Sequence, residues 1–446
     1  MATVTETMAA LAAGTTTSEA LADLALAAIA DPAGEGARTF VRHDPEQVRR
    51  DARAADAQRA AGGAAPLLGI PVSVKDLFDI EGEVTTAGSI ALKDAPPATS
   101  DAVIVQRLKA AGAVIVGATN MTEFAFSGIG INPHYGTPRN PYDRATGRVP
   151  GGSSSGAAVS VTDGMCLAAI GTDTGGSVRI PSALCGVTGF KPTQARVPLD
   201  GAFPLSTTLD SIGPLAQSVA DCILLDQVLS GSENGFGRLN IAGCRFAVPQ
   251  SLVLDGMDAD VAAAFASALS RLSAAGLKIE DRPFSEFAMI PQINARGAFA
   301  GHEGYAIHRE LLARRGDQFD PRVRVRLEAG GQWTEEDYRN LKAGRQAFIT
   351  AVMAAMADVD ALLLPTVPAI APPIAAFDDE DFFHRVNLLM LRNPSVINML
   401  DGCAVSLPCQ RPGEAPVGLM IAGRHGDDVR ILAMAAEIEQ LLSADR

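Results

Sequence analysis

The sequence predicts an α/β protein, a sheet covered by helices, and three observations carry that prediction. Residues 101–116 read as a helix, a glycine and a β-branched strand in direct succession, the rhythm of a helix folding back beside a sheet. Short apolar runs at 362–364, 404–407 and 417–421 recur late in the chain between polar and Pro/Gly-rich stretches, as buried strands do. The chain has 446 residues, 47% of them hydrophobic and 20% charged, enough to build a large core.

The elements follow in order. Residues 18–30, Ala- and Leu-rich after a threonine cap, predict a helix stopped by Asp31-Pro32. Residues 45–61, rich in Arg, Asp and Ala, predict a second helix. Ile70–Val74 reads as a short strand leading into Lys75. Ser100-Asp101 is placed to cap a helix ending near Ala111, and Gly112 then leads into a strand at 113–116. From 128 to 156 no apolar period survives, and Gly, Pro, Asn and Ser dominate; such a stretch inside a compact domain is usually functional or disordered. A short helix is expected near Ser155, a strand at 165–170, a glycine-rich loop, and another short helix from Ser177 toward Leu184. Ser218–Leu229 reads as a helix ended by Gly231, and residues 232–240 as a connection and internal boundary. A strand near Phe246, a helix at 258–275 and a strand near Leu277 follow. Thr334 and Asp337 form a capping box for a long helix to about Ala357, and a last helix starts near Asp427.

The net charge of −14, with no Lys/Arg block, argues against a nucleic-acid surface. The six cysteines form no CxxC and suit neither zinc nor a disulfide framework; buried reduced thiols are expected. The first basic residue is Arg38, so no secretory or transit leader is expected, and the reading is cytoplasmic. The most apolar segment, 361–377, carries four prolines and reads as a strand entering a loop, not a membrane span.

Three segments carry chemistry. Thr174-Gly175-Gly176-Ser177 has glycines that let backbone N–H groups approach an oxyanion beside a serine, although the same segment fits an ordinary turn. Gly151–Gly156, Gly-Gly-Ser-Ser-Ser-Gly, fits a linker when read alone; it lacks the Gly-Lys-Ser/Thr ending of a phosphate loop. Lys75 either snorkels to the surface or is buried, and burial lowers its pKa toward a neutral amine able to act as a base. Asp76 should point to the opposite face of the strand. Rival constellations are weak. The six histidines are scattered, and Cys166 and Cys185 have no histidine in a comparable motif.

Read together, Lys75, Ser153 and Ser177, with the serines 24 residues apart, resemble the amidase signature family. The surrounding words resemble it too: Val149–Gly156, Gly171–Ser182, Cys185–Pro192, Thr119–Phe124 and Asn140-Pro141. The resemblance is dense from about 66 to 220 and diffuse afterward. It implies an amidase-signature α/β fold, with a mixed central β-sheet covered by helices on both faces. Within it, 1–65 is a helical segment packed on the core, 66–230 the signature core, and 231–446 the remainder of the same domain and the pocket lid. It implies Ser177 as acylated nucleophile, Ser153 as bridging serine after a cis bond from Gly152, and Lys75 as base. The N–H groups of Thr174, Gly175, Gly176 and Ser177 would form the oxyanion hole. Asp173 and Arg179 would support the site, and Ser154 and Ser155 would hydrogen-bond within their loop. Ala125, Phe126, Ile129 and the helix-like stretch Val386–Met399 are the candidates for the pocket lining, each of which also fits the plain core. The implied activity is cleavage of a carbon–nitrogen bond in a small or medium amide, with carbamate (urethanase) or ester cleavage as side activities, and no cofactor or metal. The expected partner is the small-molecule substrate, without nucleic acid or membrane and with a homodimer as one option. Two other classes stay open: the amidase subunit of a tRNA-dependent amidotransferase, and a non-catalytic binding protein on the same scaffold.

Overall fold

The computed structural model describes residues 2–232, 237 and 239–443. Part of the connection expected at 232–240 therefore lies outside the described residues. Among the described residues the backbone forms eleven strands: β1 (Phe40–Arg42), β2 (Pro71–Lys75), β3 (Val114–Thr119), β4 (Ala168–Thr172), β5 (Thr188–Lys191), β6 (Ile212–Ala216), β7 (Arg245–Pro249), β8 (Lys278–Arg282), β9 (Ala361–Pro365), β10 (Cys403–Pro408) and β11 (Gly418–Gly423). They make one sheet in the order β1-β3-β2-β4-β6-β5-β10-β11-β9-β7-β8. The sheet is mixed. β2 lies parallel to both β3 and β4, β7 is parallel to β8 and β9, and the pairs from β4 through β6, β5, β10 and β11 to β9 are antiparallel.

Successive side chains of a strand point to opposite faces, and here each face is a core. Val405, Leu363 and Ile421 enter one apolar cluster with the helices Val219–Ser230, Ala259–Ala274 and Asp428–Ser443. Their neighbours Ala404, Leu362, Leu364, Met420 and Ala422 enter another with the helices Glu335–Ala355 and Glu380–Leu400. The expected mixed sheet with helices on both faces is the observed fold.

Local signals account for many boundaries. The side chains of Thr17, Asp44, Ser218 and Asp258 accept backbone N–H groups at the starts of their helices, and Thr334 with Asp337 forms the capping box. One cap differs from expectation. The helix Val103–Ala110 starts after Ala102 without a side-chain cap, because Asp101 instead accepts the Glu81 N–H and the Lys109 ammonium. β4 begins three residues later than the strand expected at 165–170. The short helix expected from Ser177 is Arg179–Cys185. Residues 126–154 contain no helix or strand, as their composition suggested.

The close approach of β5 and β6 requires a glycine. A Cβ on Gly213 would lie 1.9 Å from the Phe190 carbonyl oxygen. Gly213→Ala is therefore expected to destabilise the fold by about 3 kcal/mol, at the upper end for overpacking. Gly243→Ala, where a Cβ meets nothing within 4 Å, should change stability by less than about 0.5 kcal/mol. Thermal melts of the two variants check the difference; equal melting temperatures would contradict it.

Candidate functional site

The site is assembled where β2 and β4 end side by side, with Val74 paired to Ile170. Lys75 is the last residue of β2 and is fully buried. Its Nζ lies 2.8 Å from Ser153 Oγ and 2.8 Å from Thr172 Oγ1, the latter at the end of β4. Burial lowers its pKa to about 7, against the pull of Asp210 and Asp173. Asp76 turns away, as the strand pleat requires, and its carboxylate accepts from Arg42, the Thr86 hydroxyl and the Gly88 N–H.

Ser153 sits in the first glycine-serine loop after a cis Gly152–Ser153 peptide bond. The loop is tied down by its backbone: Gly152 N–H donates to Gly128 O at 2.8 Å, and Thr122 N–H donates to Ser153 O at 3.1 Å. The hydroxyls of Ser154 and Ser155 do not bond within the loop. They reach the carbonyls of Thr172 and Asn120, both at 3.4 Å, because the following helix Ser155–Thr162 is packed into the core beside β4. The segment is buried and is not a free linker.

The second loop runs from β4 into the helix Arg179–Cys185. Asp173 is its anchor. Its carboxylate accepts the N–H groups of Gly176 (2.9 Å) and Val178 (3.1 Å), the Nδ2 of Asn398 (2.9 Å), and the Arg179 guanidinium at 3.0 and 2.9 Å. Burial alone would push the Asp173 carboxyl up; Arg179, Lys191 and Asn398 outweigh it and hold the group far below the usual carboxylate range. The Gly176 N–H, expected to face an oxyanion, is thus taken by Asp173. The N–H groups of Thr174, Gly175 and Ser177 donate to no protein acceptor among the described residues. Ser177 is 3% exposed. Its hydroxyl makes no hydrogen bond among the described residues, so the Lys75–Ser153 contact is formed and the Ser153–Ser177 contact is open. Hydrogen bonds between catalytic groups commonly tighten only when substrate is bound.

Ser177, Thr174 and Gly175 lie on the wall of a cavity of about 330 Å³. Ala125 and Phe126 line it as expected. They lie at the end of a turn in which Phe124 and Ala125 both adopt left-handed backbone (φ 50° and 60°), unusual for non-glycine residues. Ile129 does not line it; it is fully buried against Ile180, Leu184 and neighbours in a separate apolar cluster. Within the stretch Val386–Met399, Asn387, Leu388, Leu391, Ser395, Asn398 and Met399 face the cavity, while Val386 joins the cluster that holds Ile129.

Three residues near the site were not foreseen. Thr172 holds Lys75. Asp210, raised in pKa by its burial, accepts the Thr174 hydroxyl and the N–H groups of Leu205 and Ser206. Arg326 lines the cavity from the helix Pro321–Gly330. A signal for Arg326 existed: it shares a helical face with the buried Val323, Leu327 and Gly330, a charge on an apolar stripe. The six cysteines are all buried and form no disulfide among the described residues, and burial raises the thiol pKa of Cys166 and Cys185. No helix among the described residues is long and apolar enough to cross a membrane.

Comparison with known proteins bears on the same residues. The Amidase family model matches residues 26–432. The chain is 36% identical over 382 residues to a 2-amino-5-chloromuconic acid deaminase of Comamonas testosteroni, covering 84% of this chain and 82% of that protein. It is 34% identical over 466 aligned positions to a glutamyl-tRNA(Gln) amidotransferase subunit of Roseiflexus sp. (strain RS-1), covering 96% and 94%. Among solved structures, an amidase crystal structure superposes with a TM-score of 0.89 at 35% identity, covering 98% of this chain and 99% of that one. With its mixed sheet and two buried glycine-serine loops meeting at a lysine, the chain belongs to the amidase family, among the amidase-signature enzymes.

Proposed function

We propose that this protein hydrolyses the carbon–nitrogen bond of a small or medium amide through an acyl-enzyme on Ser177, with Lys75 as base acting through Ser153. The observation that carries the reading is the buried, hydrogen-bonded pair Lys75–Ser153 beside a cavity whose wall includes Ser177. An amine with a pKa near 7 is substantially neutral at neutral pH. In the proposed reaction it takes the Ser153 proton as Ser153 takes the proton of Ser177. The Ser177 oxygen attacks the amide carbon, and the N–H groups of Thr174, Gly175 and Ser177 receive the oxyanion. Collapse expels the amine, which takes its proton back through Ser153 from the Lys75 ammonium. Water then attacks the acyl carbon by the same route and frees the acid. Carbamates fit this chemistry, since they too present a carbonyl bonded to nitrogen. The second half of the chain, 231–446, supplies much of the cavity wall and acts as the lid over the signature core.

A second reading is favoured by the 34% identity to a glutamyl-tRNA(Gln) amidotransferase subunit. Turnover of simple amides by the isolated chain would exclude a role that needs partner subunits. A binding protein without catalysis is the third class, and it predicts no covalent labelling.

Ser177→Ala is expected to lower amide turnover by about 10³-fold or more with the melting temperature kept. A fluorophosphonate should label the wild type on the peptide containing Ser177; an adduct on Cys166 or Cys185 would refute the assignment. Ser153→Ala, which breaks the relay but leaves the nucleophile, should cost about 10²-fold and retain slow acylation.

The pH profile tests Lys75. A base works only when deprotonated, so activity should be low below pH about 7, rise through that value and level off on the alkaline side. Lys75→Ala should lower amide turnover by about 10²–10⁴-fold and abolish this limb. Esters should suffer less, since their leaving group needs no proton. Near wild-type amide turnover by Lys75→Ala across the pH range would place the base elsewhere.

A further inference from the structure

Among the described residues, Arg326 forms no ion pair. Its Nε donates to the Arg322 carbonyl at 2.8 Å, one turn back on its own helix. Its Nη2 is buried and has no hydrogen-bond partner among the described residues. Its guanidinium carbon lies 4.8 Å from the centroid of Phe126 and 5.7 Å from that of Phe383, so aromatic rings, not carboxylates, surround it. The charged groups that act on it oppose one another: Asp320 favours its charge and Arg322 disfavours it. Burial lowers its pKa only to about 10, so it stays cationic at neutral pH.

Other buried cations near the site are answered. Arg179 meets Asp173 and Asn398, Arg42 meets Asp76 and Glu83, and the Lys191 amine is held by the carbonyls of Pro192 and Gly402. A buried charge left without a partner is costly, and a guanidinium still offers a fork of donors matched to two coplanar oxygens. Arg326 lines the cavity that also holds Ser177, whose other walls include Leu205, Leu209, Phe299, Trp333 and Leu391.

We propose that Arg326 is the recognition site for a carboxylate carried by the substrate, so that the preferred substrates are amides with a free carboxylate elsewhere in the molecule. The proposal rests on the reading of Ser177 as the nucleophile of an amide hydrolase. The apolar walls take the carbon chain between the two groups. Phe126 and Phe383 hold the guanidinium and exclude water, which strengthens a charge-assisted pair relative to one in solvent.

The test compares ω-carboxylated amides (succinamic, glutaramic and adipamic acids) with neutral amides of matching length such as butyramide and hexanamide. The wild type should favour the best carboxylated member by about 100-fold in kcat/KM, mainly through KM. Arg326→Met should bring that ratio close to one, and Arg326→Lys should restore part of it. The melting temperature of Arg326→Met should be kept or raised, because the substitution removes an unpaired buried charge. A wild type that turns over both series without preference, or an Arg326→Met variant that loses both equally, would overturn the proposal and leave the amide hydrolase reading standing. If no amide is turned over and no fluorophosphonate label forms, the hydrolase reading fails instead. Calorimetric titration with glutarate then decides the carboxylate site alone. Binding to the wild type that is lost in Arg326→Met supports it, and absent or unchanged binding overturns it.

Discussion

Lys75 ends β2 with neither solvent nor a bonded carboxylate at its amine, and the surrounding architecture follows from keeping it there. A charged amine in that position carries a desolvation cost on the order of several kcal/mol. The alternative is a neutral amine with two hydroxyl partners, Ser153 and Thr172. Two aspartates that could restore its charge are occupied elsewhere. Asp76 is turned by the pleat onto Arg42, Thr86 and Gly88. Asp173, close enough to pull on Lys75, is committed to Arg179 and Asn398. Asp210 is the third neighbour, and it is satisfied by the Thr174 hydroxyl and two backbone N–H groups. The protein thus surrounds the amine with carboxylates while denying it an ion pair, and the balance leaves the pKa near neutrality.

The same commitments shape the second loop. A glycine-rich turn has more N–H groups than an oxyanion needs, and an unconstrained turn would not present them in one direction. Asp173 consumes those of Gly176 and Val178 and fixes the turn through Arg179. Gly176 has φ +129°, and a Cβ there would meet Pro394 at 2.6 Å, so only glycine fits both the backbone and the helix pressed against it. The N–H groups of Thr174, Gly175 and Ser177 are left, and these are the ones beside the cavity.

What was legible in the sequence was local or clustered. The caps at Thr17 and Thr334 are read from neighbours a few residues apart, and the helices Ser18–Ala30, Pro45–Ala60, Val219–Ser230 and Glu335–Ala355 begin within a residue of where they are expected. The glycine-serine loops and Lys75 were visible because their composition is unusual. Partnerships across the fold were not. Thr172 stands beside Asp173 in a segment already singled out, yet only the parallel pairing of β2 with β4 puts its hydroxyl on Lys75. Asp101 has the chemistry of a cap, but Glu81 and Lys109 compete for its carboxylate and win. The short strands β1, β5 and β6 are specified by their neighbours in the sheet, and Thr188–Lys191 contains a glycine and a lysine that weaken any strand pattern. Ile129 was misplaced because an apolar residue near a pocket is equally suited to the core behind it.

The helix Glu380–Leu400 ties the second half of the chain to the glycine-rich loop after β4. Its residue Pro394 lies inside the helix, where proline cannot donate a backbone hydrogen bond. The neighbouring Asn393 side chain ties the helix to the Val253 and Pro365 carbonyls instead. From that fixed position Pro394 packs against Gly176, Ser395 donates to the Gly175 carbonyl at 3.3 Å, and Asn398 bridges Asp173 and Arg179. The intervening turns present Asn387, Leu388 and Leu391 to the cavity. One face of one helix therefore both braces the loop that carries Ser177 and shapes the space a ligand would fill. Substitutions at Leu388, which is 70% exposed, can alter that space at little structural cost. Substitutions at Pro394 or Asn398 disturb the loop itself, so variation in ligand preference is confined to the positions between them.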